Sequence, residues 1–114
     1  MNEKRLYHRR STDHGVDNLM VAIGERAIKD YERALRRYQR AARRSESNNR
    51  SIALFRANHR MKEASYFFLA DPYDIFPNGG GKQIIALINE KHNFKPVRIP
   101  TKDEYQQIMK NLEK

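Results

Sequence analysis

Residues 16–44 read VDNLMVAIGERAIKDYERALRRYQRAARR, and this stretch decides the fold. Met20, Ile23, Ala27, Ile28, Tyr31, Leu35, Tyr38 and Ala42 recur at steps of three and four, the spacing that keeps side chains on one stripe of an α-helix. With Leu35 at zero and about 100° per residue, this stripe centres at about 320°. Arg33, Arg36, Arg37, Arg40, Arg43 and Arg44 gather on the opposite side, at about 140°. The period predicts an amphipathic helix whose wet face is nearly all arginine. Asp17 is placed to cap its start, and Gly24 is its weak interior position.

Toward the C-terminus, residues 45–50 (SESNNR) form a polar break. Ser51 can cap a second helix running to about residue 69. It carries two apolar stripes: Leu54, Ala57, Met61, Ala64 and Phe68 on one, Ile52, Phe55, His59 and Tyr66 on the other. A helix apolar on two sides sits centrally in a small bundle. The short connector makes the pair an antiparallel hairpin. Residues 71–76 (DPYDIF) read as one helical turn, with Pro72 at its first position and Asp71 accepting from the amides that follow. Residues 77–81 (PNGGG) end that turn, and residues 82–92 form a third helix with Ile84, Ile85, Leu87 and Ile88 as its apolar face. Residues 96–100 (PVRIP) are extended, because residues before proline avoid the α region, and they are the one stretch that reads as a short strand. Thr101 and Glu104 then make a capping box. They open a last helix with Tyr105, Ile108, Met109 and Leu112 on one face.

Toward the N-terminus, residues 1–15 (MNEKRLYHRRSTDHG) lack an apolar period and read as a flexible basic arm. The expected architecture is thus all-α: a small helical bundle on an antiparallel hairpin, one domain over residues 16–114, with the basic arm before it and a short C-terminal helix. The 114 residues suffice for a single small core. Without cysteine, disulfide scaffolds, thiolate metal sites and cysteine nucleophiles are excluded. The longest apolar run, residues 19–23, is far below the roughly 20 residues of a membrane span. The first residues carry no apolar secretion signal, so neither export nor a membrane is expected.

Motifs for catalysis are weak throughout. The Gly79 to Lys82 run lacks the early glycine and the following hydroxyl of a P-loop, since Phe76 and Gln83 stand at those positions, and reads as a flexible turn. His8, His14, His59 and His92 show no metal-ligand spacing. His59, on an apolar stripe, reads as a core imidazole, and His92 suits a helix C-terminus. Asp71 and Asp74 are explained by helix-starting chemistry. No nucleophile elbow or Ser–His–Asp grouping is present. No enzyme activity, cofactor or metal is expected.

The arginines stand out instead. Residues 26–62 hold 12 basic and 3 acidic residues, a surplus equal to the whole formal charge of +9. Five of the nine residues 36–44 are arginine and none is acidic. Arg56 and Arg60 add an i, i+4 pair on the second helix. A solvated helix face usually mixes signs, whereas a one-signed field draws polyanions and releases their counterions. The binding residues expected are Arg33, Arg36, Arg37, Arg40, Arg43, Arg44, Arg56 and Arg60. The expected partner is a nucleic acid, a nucleoprotein or an acidic protein surface. Tyr31 and Tyr38 lie on the stripe to be buried, so no base-stacking platform is expected.

Ala27-Ile28-Lys29-Asp30-Tyr31, Arg60-Met61-Lys62-Glu63 and Phe67-Phe68-Leu69-Ala70-Asp71-Pro72, followed by the glycine turn and aliphatic helix to Ile88, resemble a loose group of small phage and prophage proteins of Gram-positive bacteria. The resemblance spans about residues 23–90 and brings no catalytic residues. It implies a non-enzymatic binding protein in the host cytoplasm. Its targets would be phage gene control, host machinery or a defence nuclease such as a CRISPR effector. A DNA- or RNA-binding regulator without a protein target is the alternative. The basic charge argues against DNA mimicry. The second apolar stripe is to be covered by the later helices or by a second copy of the chain.

Overall fold

The computed structural model describes residues 14–113, with side chains from residue 18. In order come α1 (His14–Ala42), α2 (Asn48–Ala70), a 3-10 turn (Pro77–Gly79), α3 (Gly80–Lys91) and α4 (Lys102–Leu112). No strand forms among the described residues, so the chain is all-α. The basic arm lies outside the described residues up to residue 13, and its last two residues begin α1. Asp17 therefore sits inside the helix and does not cap it.

An alanine seam runs along the hairpin. Ala27, Ala34 and Ala41 recur every seven residues on α1 and, with Ala64, Ala57 and Ala53 of α2, line two adjoining hollows. Ile23 and Ala27 lie by Ala64 and Phe67, whereas Ala41 and Arg44 lie by Ala53 and Ala57, so the helices run antiparallel. Ser47, not Ser51, caps α2: its hydroxyl accepts from the Arg50 N–H at 3.1 Å. Ser51 lies in the first turn, its N–H bonded to the Ser47 carbonyl.

Tyr31, Leu35 and Tyr38 of α1 are buried against Met61 and Phe68 of α2 and Ile84 and Ile88 of α3. The first α2 stripe is thus core, and α2 packs on α1, α3 and α4 as its central position requires. Its second stripe is only partly covered. Phe55 stacks on Tyr105 of α4 with ring centroids 4.1 Å apart. Tyr66 stays 67% exposed. His59 is exposed beside Glu63 at 3.4 Å, not in the core. An i, i+4 pair with an acid drew it outward, and α4 is too short to cover the whole stripe.

The stretch after α2 is a turn, not a helix. Asp71 takes the left-handed conformation (φ 45°) and ends α2. Its carboxylate accepts from the Ile75 and Phe76 N–H groups at 2.6 and 2.8 Å. This carboxylate does bond to following amides, but across a loop that tucks Ile75 and Phe76 into the core. Among the described residues, the non-glycine positions with positive φ are Asp71, Asp74, Asn78 and Asn93, the residue types that tolerate it best. The glycine run is not a flexible turn either. Gly79 (φ 76°) leads into α3, and Gly81 is buried with its α-carbon against the Phe68 carbonyl of α2, where a β-carbon would collide. A carbonyl oxygen at that spot is also a poor neighbour for phosphate.

Past α3, Asn93 turns the chain and the Phe94 N–H returns to the Asn89 carbonyl at 2.9 Å. The segment 94–101 then runs along α1 without helix or strand. Tyr38 fixes it: the phenol accepts from the Val97 N–H at 2.9 Å and donates to the Val97 carbonyl at 3.3 Å. Gln39 donates to the His92 carbonyl at 2.8 Å. The capping box at Thr101 and Glu104 forms in full and starts α4.

Candidate functional site

With the apolar side of α1 covered by α3 and the 94–101 segment, its arginines are left outward. Arg33, Arg36, Arg37, Arg40, Arg43, Arg44, Arg56 and Arg60 are all exposed. Among the described residues, none of the eight has a carboxylate within ion-pair distance. The ion pairs that do form lie elsewhere. Glu32 receives Lys91 at 3.3 Å and His92 at 2.7 Å, and Arg98 meets Glu104 at 2.6 Å. Glu32 and Glu104 thus brace α3 and α4, while the eight arginines have no acid beside them among the described residues.

The hairpin gathers most of these cations around the alanine seam. Arg37, Arg40 and Arg44 of α1 face Arg56 and Arg60 of α2 across a hollow of about 480 Å³, floored by Ala41, Ala53 and Ala57. The lining is arginine and alanine alone. A second hollow, of about 780 Å³, adjoins it through Arg37 and Arg60 and runs to Ile23 and Phe67. There Arg26, Arg33, Asp30 and Glu63 mix the signs. The result is one trough with a purely cationic half and a mixed half.

The helical wheel explains the division. Arg33, Arg37, Arg40 and Arg44 fall at about 140–200° from Leu35, on the α2 side, whereas Arg36 and Arg43 fall at about 80–100°. Those two are exposed but line neither hollow. The six-arginine face of α1 is therefore two rows.

Two cations within residues 26–62 are spoken for. Arg26 pairs with Asp30 at 3.8 Å. Arg50 folds back on the end of α1, its Nη2 donating to the Ala42 carbonyl at 3.4 Å, and its Nε is buried without a partner. Arg56 is oriented rather than neutralised: its Nε donates to the Tyr105 hydroxyl at 3.1 Å, and its guanidinium lies 6.0 Å from that ring's centre. Tyr105 thus links α4 to the cationic rim. Sequence reading missed this contact and the alanine floor. The seven-residue alanine spacing was the signal for the floor; nothing local foretold Tyr105.

The opposite face of α1 is a clasp. Hydrogen bonding from His92, then the Lys91 charge, holds the Glu32 carboxyl below the usual carboxylate range against the opposing effect of burial. Tyr31 donates to Asn89 at 2.7 Å, and burial pushes its phenol up. Among the described residues no three His, Asp or Glu side chains converge on a metal-sized site, and no helix is long and apolar enough to cross a membrane. No family model matches this chain, and no curated protein or solved structure matches it.

Proposed function

We propose that this protein is a non-enzymatic binding protein that docks its arginine-lined hairpin on a polyanion, a nucleic acid or a nucleoprotein of the host. The observation that carries the reading is the set of eight exposed arginines without carboxylate partners among the described residues, five of them around one hollow. Exposed cations left unneutralised at close range repel one another, so a face of this kind is best satisfied by an external anion. The resemblance of residues 23–90 to small phage proteins supports a setting in which the target is host machinery. A defence nuclease of the CRISPR type, reached through its guide RNA, its target DNA or an acidic patch, is the form we favour. A regulator that binds bare DNA or RNA is the second reading, favoured by a hollow that offers cations but no apolar anchor for a protein.

Replacing Arg36, Arg37 and Arg40 together with glutamate tests the reading. The variant should keep its helicity by circular dichroism and lose capture of its partner from host lysate. Unchanged capture would refute the arginine face. Capture that disappears after nuclease treatment of the lysate supports a nucleic-acid or nucleoprotein partner. Tight binding to purified bare probes favours the regulator over the inhibitor.

A further inference from the structure

We propose that the purely cationic half of the trough seats a single phosphodiester strand, gripped by its backbone and not by its bases. This rests on the polyanion reading above and gives it a geometry. A flat basic face attracts any anion. A hollow of about 480 Å³ with Arg37, Arg40 and Arg44 on one rim and Arg56 and Arg60 on the other meets an anion's charge from both sides. The planar fork of arginine matches two phosphate oxygens at once, which a lysine cannot do.

What the lining lacks is equally informative. It holds no aromatic ring, so bases have nothing to stack on. It holds no amide side chain to read adenine and no carboxylate to read cytosine or repel phosphate. Alanine methyls give a peptide's side chains no pocket to fill, which disfavours an acidic peptide as the occupant. Asp30 and Glu63 weaken the field of the adjoining half, so the seat lies where the lining is cationic alone. Arg37 to Arg44 spans about 10 Å of helix, so the seat grips a short stretch of strand.

The test uses the full chain and fluorescence anisotropy at low salt with three labelled probes: oligothymidylate, a base-free phosphodiester oligomer of equal length, and polyglutamate of equal charge. The two phosphodiesters should bind within about threefold of each other, and polyglutamate at least about tenfold more weakly. Ala53→Leu fills the floor without changing charge and should weaken phosphodiester binding at least about tenfold. Arg40→Ala with Arg44→Ala, in the trough, should do the same. Arg36→Ala with Arg43→Ala removes equal charge outside the trough and should cost less than about threefold. The two arginine pairs are surface changes, so the comparison stands even if Ala53→Leu does not fold. Equal losses for both pairs would overturn the seat and leave an undirected basic face, the broader reading intact. Polyglutamate binding as tight as the oligonucleotide would overturn the strand in favour of an acidic protein. Binding of no probe by the wild type would overturn the seat, while lysate capture tests the broader reading separately.

Discussion

Replacing Tyr38 with phenylalanine removes one oxygen and keeps the ring that packs edge-on against Phe94 at 5.2 Å. That oxygen is the bonding partner of both the N–H and the carbonyl of Val97, at 2.9 and 3.3 Å, and so holds the 94–101 segment against α1. A buried polar group deprived of its partner costs about 1–3 kcal/mol. Val97 is only half-buried and the bond to its carbonyl is long, so water recovers part of the loss. The two groups together should cost about 2 kcal/mol. For a domain of this size each kcal/mol moves the melting temperature by roughly 4–8 °C, which makes the expected fall about 8–16 °C. A thermal melt followed at 222 nm reads this directly. Because Tyr38 faces away from the arginine trough, affinity for a phosphodiester probe below the melting range should be unchanged. A fall of less than about 3 °C would refute the claim that this hydroxyl fastens the segment. Lost affinity in a folded variant would show that the segment and the trough are coupled.

The Glu32 clasp and the α2–α3 contact give two further tests. Glu32→Gln should cost about 1.5–3 kcal/mol in urea unfolding at neutral pH, the worth of a hydrogen bond to a charged group. Its carboxyl titrates below the ordinary range when folded, so its contribution is full above that range and vanishes as pH falls through the folded value. The gap between wild type and variant should therefore narrow as pH falls below the ordinary carboxylate range; a gap that stays constant on acidification would refute the role given to the charge. Gly81→Ala places a methyl group on the Phe68 carbonyl and should destabilise by on the order of 3 kcal/mol in the same assay, with α3 displaced. A neutral effect would show that α3 does not rest on α2 at that point.

Much of the fold was legible in the sequence because its strongest signals are periodic. The stripe from Met20 to Ala42 and that from Leu54 to Phe68 both mark faces that are buried or half-buried, and the capping box at Thr101 starts α4 where expected. The errors fall where a choice depends on residues distant in sequence. Ser47 and Ser51 are both competent caps, and the backbone selects the earlier one. Asp71 looked like the start of a helix because aspartate before proline suits that role, yet it ends α2 and ties a loop. Gly81 was read as slack when its missing side chain is what lets two helices touch. All eight candidate arginines are exposed. Their sorting into a trough set and an outlying pair, Arg36 and Arg43, required knowing on which side α2 lies.

The salt dependence of binding between the purified chain and a single-stranded probe tests the central claim most directly. The seat spans about 10 Å, room for about three phosphates at roughly 3.4 Å each, so the slope of log Kobs against log salt should be about −2. A slope shallower than about −1, or no binding at about 50 mM salt, would contradict it.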